Sequence, residues 1–248
     1  MKLLLCCVFL MCLIFMAQAA RDITTFLKVC HQSDPLLDKC MKESLERLRP
    51  FLKTGIPELS IPSFEPLVIP EITMNQGKGS LNLQTTFNNL HLWGLSNFDV
   101  KDFRSKLEDN LFKFRVFFPY LTSKSMYRVH GRILMLPIEG SGLAEGNYTN
   151  VEGIVQIQGS QRTEDSKTYF HVDNVVINLD VSHVGVYFDN LFNGDKELGD
   201  AMNAFLNDNW KHVMKDMRPV LEESIGAVMK DLFNSMYNKI PLDEILPL

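Results

Sequence analysis

Residues Leu198 to Ile240 read LGDAMNAFLNDNWKHVMKDMRPVLEESIGAVMKDLFNSMYNKI, and the fold turns on what covers their apolar side. Leu198, Met202, Phe205, Trp210, Val213, Met217, Val220, Ile225, Val228, Leu232, Met236 and Ile240 recur every three to five residues, with Lys, Asp, Glu and Asn filling most positions between. That is the period of an amphipathic helix. At about 1.5 Å per residue it would run roughly 60 Å, about twice the width of a small domain. Pro219 interrupts the stripe and is expected to kink the helix or split it.

A stripe of this length needs an equally long apolar partner. Bulky aromatics and Met leave no clean a/d seam for a coiled coil. The opposite face is too charged for a membrane span. The rest of the chain, wrapped around the helix as a sheet, is the favoured partner; a membrane-surface helix or two shorter helices are the alternatives.

The strands for such a sheet lie upstream. Between Leu67 and Phe192 the apolar period becomes two, as in Leu81, Leu83, Thr85 and Phe87, and in Phe112, Phe114, Val116 and Phe118. Met126 to Leu136 alternates Arg128, His130 and Arg132 with Val129, Gly131 and Ile133, and Asn147–Gln158 and Lys167–Asp180 add further strand-like runs. Gly77-Lys78-Gly79, Glu139-Gly140-Ser141-Gly142 and Arg162-Thr163-Glu164-Asp165-Ser166 read as turns. Long strands on short turns imply a twisted antiparallel meander. Ahead of it, Asp34-Pro35 reads as an N-cap and first-turn proline for a helix of about four turns carrying Leu37, Met41, Leu45, Leu48 and Leu52. The proline-rich stretch from Thr54 to Leu67 reads as an extended connector along a sheet edge. Helix, long strands and then a very long helix make an α+β order.

Lys2, the apolar run Leu3–Phe15 and Ala17-Gln18-Ala19 form a secretory signal over residues 1–19, cleaved after Ala19, with a signal anchor as the alternative. The remaining residues 20–248 are enough for one large domain or two small ones. Cys6, Cys7 and Cys12 leave with the signal, and Cys30 and Cys40 remain. In an oxidising compartment this close pair reads as a disulfide, the alternative being two free buried thiols. Losing Lys2 leaves 24 basic against 30 acidic residues, a net charge near −6, which argues against nucleic acid and anionic membrane as main partners.

Patterns for catalysis and metal binding are weak. There is no G-x-S-x-G elbow and no H-E-x-x-H. Gly77-Lys78-Gly79-Ser80 leads into a strand rather than a helix and so reads as a turn, not a phosphate loop. His171 and Asp173 share a strand face without a nucleophile. Asp189, Asn193, Gly194 and Asp200 echo a calcium loop, but Leu191 stands where an oxygen ligand belongs; a capped helix start is the better reading. No cofactor or metal is called for. Asn147-Tyr148-Thr149 is a glycosylation sequon.

Gly55-Ile56-Pro57-Glu58-Leu59, Leu136-Pro137-Ile138-Glu139-Gly140-Ser141-Gly142, the run Tyr187–Asp200 continuing through Asn203 and Asn207–Trp210, and Ile240-Pro241-Leu242-Asp243-Glu244 together resemble the insect takeout and haemolymph juvenile-hormone-binding protein family. The resemblance covers nearly the whole mature chain. It implies a long C-terminal helix wrapped by a highly curved antiparallel sheet, a tubular super-roll like that of the lipid-transfer superfamily, enclosing an apolar tunnel for juvenile hormone or a long-chain lipid. It also implies that Cys30 and Cys40 form the family's N-terminal disulfide. A second pair, found in the haemolymph carriers proper, is missing, so the takeout branch, associated with circadian output, feeding and chemosensation, fits better. Phe87, Phe114, Phe118, Trp210 and Met214 are expected to line the tunnel, with ordinary core as the alternative for each. The expected protein is an extracellular, monomeric carrier without a stable membrane anchor. Its rivals are a secreted lipid-ester hydrolase and a membrane-surface or partner-binding protein that turns the stripe outward.

Overall fold

The computed structural model describes residues 23–77, 81–133 and 135–248. The expected leader over 1–19, and Lys78-Gly79-Ser80 of the first expected turn, lie outside them.

Helix α1 spans Leu37–Leu52. It begins later than the sequence suggests, because Asp34 Oδ1 accepts from Leu36 N at 2.8 Å and spends itself on a turn. Pro50 sits in the last turn, so the helix ends soon after it. Cys40, on the buried side of α1, is bonded to Cys30, with Cα atoms 5.8 Å apart, and this ties the N-terminal arm to the helix.

The stretch after α1 is not an extended connector. Ile56 pairs with Ile61 around a 3-10 turn at Pro57–Leu59, and Ile56, Leu59 and Ile61 are buried beside Leu48, Leu52, Phe98 and Val100. The apolar residues between the prolines fold the segment back on the core, since an extended path would leave them in water. The Glu65 carboxylate fixes its end, accepting from Gly94 N and Ser96 N, both at 2.8 Å, and from Ser96 Oγ at 2.7 Å. Burial pushes the Glu65 carboxyl up, but these three bonds outweigh it and hold it below its usual value of 4.5. A depressed carboxyl stabilises the fold above its unfolded pKa and loses that contribution as pH falls through the lower folded value. A Glu65→Gln variant is therefore expected to be less stable at neutral pH and to lose less stability than the wild type on acidification below about pH 4.5. Urea midpoints from pH 7 to 3 check this; parallel curves would refute it.

The described residues form one six-stranded antiparallel sheet from β1 (Leu67–Gln76), β2 (Leu81–Trp93), β3 (Asp99–Lys106), β4 (Leu111–Ile133), β5 (Leu136–Glu164) and β6 (Lys167–Phe188). Its order is β1-β2-β4-β5-β6. β3 pairs with the first half of β4 and β2 with the second half, so they share one edge of that strand. The strand-like runs of the sequence fuse: β5 alone is 29 residues long and absorbs the turn expected at Glu139–Gly142. Gly140 and Gly142 serve packing there. A Cβ on Gly140 would lie 3.0 Å from Leu191 Cα and one on Gly142 2.8 Å from Asp189 O, so these glycines let the loop into the C-terminal helices cross the strand closely. The β5–β6 turn is tighter than the five residues expected, with Asp165 and Ser166 both at positive φ.

The apolar stripe forms two helices, α2 (Lys196–Asp208) and α3 (Trp210–Tyr237); a short α4 (Leu242–Ile245) follows. Asp195 caps α2 by accepting from Leu198 N at 3.1 Å, which makes the Asn193-Gly194-Asp195 segment a helix start. The break falls at Asn209, not at Pro219. Asn209 leaves the helical region at φ −109° and ψ 20° and turns its side chain back to Phe205 O. Pro219 lies on the exposed side of α3, where water can satisfy the carbonyl left unpaired one turn earlier. Leu198 and Phe205 remain 45% and 37% exposed, and the buried side of α2 is Met202, Asn203 and Leu206.

α3 touches both β6 and β1, the two ends of the sheet order, so the sheet curls around it. The 28-residue helix is about 42 Å long. The β6 edge is closed by side chains rather than by another strand. Asn203 Nδ2 donates to Phe188 O and its Oδ1 accepts from Phe188 N, both at 2.9 Å. Asn207 does the same for Val186 and Asn234 for Val172, while Glu222 Oε1 accepts from Leu179 N at 2.7 Å. At the other edge, Gln76 Nε2 donates to Asp216 O at 2.6 Å.

Candidate functional site

The concave face of the sheet is packed at its ends and less completely between them. At one end Phe114, Val155, Phe170, Val172 and Ile177 pack with Ile225, Met229, Phe233 and Tyr237 of α3. The Cys30–Cys40 arm and α1 cover this end. At the other end Tyr127, Val129, Ile133, Ile138, Met202 and Leu206 pack with Val213 and Met217. Tyr127 Oη donates to Asp189 O at 2.6 Å and pins the loop before α2; burial, helped by Asp189 and Tyr187, pushes the phenol up to about 12.

Between these ends lie Leu221 of α3 and, on the sheet, Leu121, Ser123, Tyr148, Val151 and Val181. They belong to neither packed cluster and keep part of their surface uncovered. Along α3 as a whole, only Gly226 is fully covered, although most of the apolar stripe runs along this helix. Gly226 is the point of closest approach, where a Cβ would lie 2.8 Å from Val175 O. Burial raises the Tyr148 phenol, against a hydrogen bond with Ser123 that lowers it. At the packed end, burial pushes the Tyr237 phenol up to about 12, and its ring meets Phe170 edge-on at 5.3 Å.

The five residues singled out in the sequence are placed differently from one another. Phe114 is fully buried and stacked on Phe103 at 5.9 Å. Phe118 is half-buried and meets the Phe98 ring edge-on at 6.3 Å. Phe87 is half-buried against the Tyr127 end. Trp210 meets the exposed His183 ring at 5.7 Å, with Lys211 Nζ over its face. Met214 is half-buried on α3 and joins none of the packed clusters. Asn147 is exposed on the outer face of β5, its Oδ1 accepting from Tyr120 Oη at 2.9 Å. Two grooves of about 550 Å³ open elsewhere, one between α1 and β3 and one beside Gln76, Leu83, His130 and Pro137; none of the five lines them.

His171 Nε2 lies 4.0 Å from Asp173 Oδ1, beyond hydrogen-bond reach, and Ser160 Oγ donates to that carboxylate at 3.1 Å rather than to the imidazole. This is not the nucleophile–base–orienter order. Among the described residues no group of three or more His, Cys, Asp or Glu could hold a metal, and no helix is long and apolar enough to cross a membrane.

The edge-binding Asn203, Asn207 and Asn234 and the interior Ser123–Tyr148 pair were not singled out by sequence reasoning. The asparagines carried a signal, because Asn inside a long helix is unfavourable unless its amide is used. The Ser123–Tyr148 pair carried none, since its partners come from different strands.

The profile of the haemolymph juvenile hormone binding protein family matches residues 5–247. The circadian clock-controlled protein daywake of Drosophila melanogaster is 26% identical over 228 residues, covering 88% of this chain and 86% of that protein. Its Drosophila yakuba counterpart is 23% identical over 239 residues, 91% and 89% of the two chains. The crystal structure of Epiphyas postvittana Takeout 1 superimposes with a TM-score of 0.74 at 24% identity, covering 90% of this chain and all of that one.

Proposed function

This chain belongs to the haemolymph juvenile hormone binding protein family, and from that premise we propose that it is a secreted carrier of one hydrophobic ligand, a juvenile hormone-like terpenoid or a long-chain lipid. The ligand lies between α3 and the concave face of the sheet. The observation that carries this reading is the half-covered apolar side of α3 opposite half-covered strand residues. A fully packed core would cover these side chains more completely.

The energetics suit a carrier. Removing about 400 Å² of apolar ligand surface from water contributes on the order of 10 kcal/mol before the cost of association. No charged contact is needed, so binding should depend little on salt. The leader over residues 1–19, a single domain over 20–248, a monomeric state and modification of Asn147 belong to the same proposal.

Native mass spectrometry of protein secreted from an insect cell line tests it, followed by extraction of whatever is bound. A stoichiometric lipid or terpenoid is the expected result. Adding that compound at about 100 times its Kd should stabilise the stripped protein by about 2.7 kcal/mol in thermal unfolding. Empty protein that takes up no apolar probe would refute the carrier reading. Turnover of fluorogenic esters, abolished by a serine-directed inhibitor, would favour the hydrolase instead.

A further inference from the structure

We propose that the hairpin tip joining β4 to β5 docks on a lipid bilayer, its apolar turn entering the acyl boundary while Arg128 and Arg132 meet anionic headgroups. The proposal concerns the outside of the protein and does not depend on the carrier reading.

Ile133 and Leu136 pair across the tip, and Met135 lies in the turn between them. Met135 is 92% exposed and Leu136 44% exposed, and Pro137 next to them is exposed as well. Turns that face water ordinarily carry Gly, Asn, Asp or Ser. The opposite end of β5 follows that rule: its turn into β6 reads Glu164-Asp165-Ser166-Lys167, all exposed. A polar turn suits water, whereas a Met-Leu-Pro tip at the end of two long strands suits an apolar phase.

Charge decides what that phase is. Behind the tip, Arg128, His130 and Arg132 alternate along β4 on its outer face, and all three are exposed. Of the six residues paired with them on β2 and β5, only Glu139, opposite His130, is acidic. Among the described residues neither Arg128 nor Arg132 has an ion-pair partner, although the chain as a whole is acidic. The groove of about 550 Å³ beside them is lined by Asn82, Gln84, His130 and Arg132, donors that suit a phosphate. At about 3.3 Å per residue, Met135 stands roughly 10 Å beyond Arg132 along the strand. Apolar segments at a membrane interface sink about 5–10 Å into the boundary between headgroups and acyl chains. A bilayer therefore meets both halves of the tip at once, with anionic oxygens at the arginines and hydrocarbon at Met135. The apolar part alone falls well short of the roughly 800 Å² per partner of a stable protein interface, which argues against a second copy of the chain.

The experiment floats the full-length secreted protein with vesicles of phosphatidylcholine, alone or mixed with about 30% phosphatidylserine. The wild type should float with the mixed vesicles and less with phosphatidylcholine alone. Met135→Ser/Leu136→Ser should lower the partition coefficient about tenfold on both. Arg128→Gln/Arg132→Gln should lower it about 25-fold on the mixed vesicles at low salt, about fivefold for each charge, and stay within about twofold of wild type on phosphatidylcholine. A polarity-sensitive label attached through Met135→Cys should shift to the blue on the mixed vesicles, and the same label at Ser166→Cys should not. Every substituted position is exposed, so the circular dichroism of each variant should match wild type. A wild type that floats with neither vesicle overturns the proposal, as does either double variant within twofold of wild type on the mixed vesicles. Equal shifts of the two labels also overturn it, because binding would then have no orientation. A wild type that ignores vesicles but forms a dimer broken by the tip substitutions would overturn it too, and would assign the tip to a second copy of the chain. None of these results concerns a bound ligand, so the carrier reading stands or falls separately.

Discussion

A Gly226→Val variant should lose about 3 kcal/mol of stability, the scale of overpacking against backbone. Gly226 is the single fully covered residue of α3, and even a Cβ there would stand 2.8 Å from Val175 O. An ordinary helix surface would welcome the change, because Gly is about 1 kcal/mol worse than Ala in a helix interior. Here the clash wins, since the neighbour is a strand carbonyl that cannot rotate away. Either α3 lifts from β6 or the edge of the sheet bends. Urea unfolding followed by circular dichroism checks this, and a midpoint equal to or above that of wild type would show that the helix has room to spare. The Ala variant separates the two effects, because propensity and clash oppose each other there and the loss should be smaller than for Val.

Replacing both Asn203 and Asn207 with Leu should cost about 4 kcal/mol, about 2 for each residue. Leu has nearly the shape of Asn, so packing is little changed. What disappears is the pair of bonds from each carboxamide to Val186 and Phe188. Each substitution leaves a peptide N–H and C=O without a partner at a partly buried edge. A free strand edge is also a template for pairing with another chain. The double variant should therefore aggregate during refolding at concentrations where the wild type does not. Chemical denaturation combined with light scattering checks both halves; wild-type stability would mean that water replaces the asparagines without loss.

These two sites show where sequence reading stops. The apolar period of the C-terminal stripe is a property of neighbouring residues, so the helices were legible from it. The alternation in β2, β4, β5 and β6 was legible for the same reason, and helix plus strands sufficed for a sheet wrapped around a helix. Punctuation was harder. Pro219 breaks an isolated helix but is tolerated on the exposed side of α3, while Asn209, a weaker signal, ends α2. Gly140 and Gly142 look like a turn, and only the crossing of residues 189–191 over β5 explains why a strand needs glycine there. Among the five aromatic and Met positions, Phe114 stacks on Phe103 and Met214 stays half-covered, a difference that neighbours in sequence do not encode.

The sequence by itself determined the α+β order, the amphipathic character of the C-terminal helices and the family resemblance, because each depends on residue type and spacing along one strand or helix. Only the tertiary structure decided that both sheet edges meet α3, that Asn side chains close the β6 edge, and that Ser123 and Tyr148 come together over Gly146. These features join residues from different elements, and their distances depend on how far the sheet curls and how closely the helix approaches it.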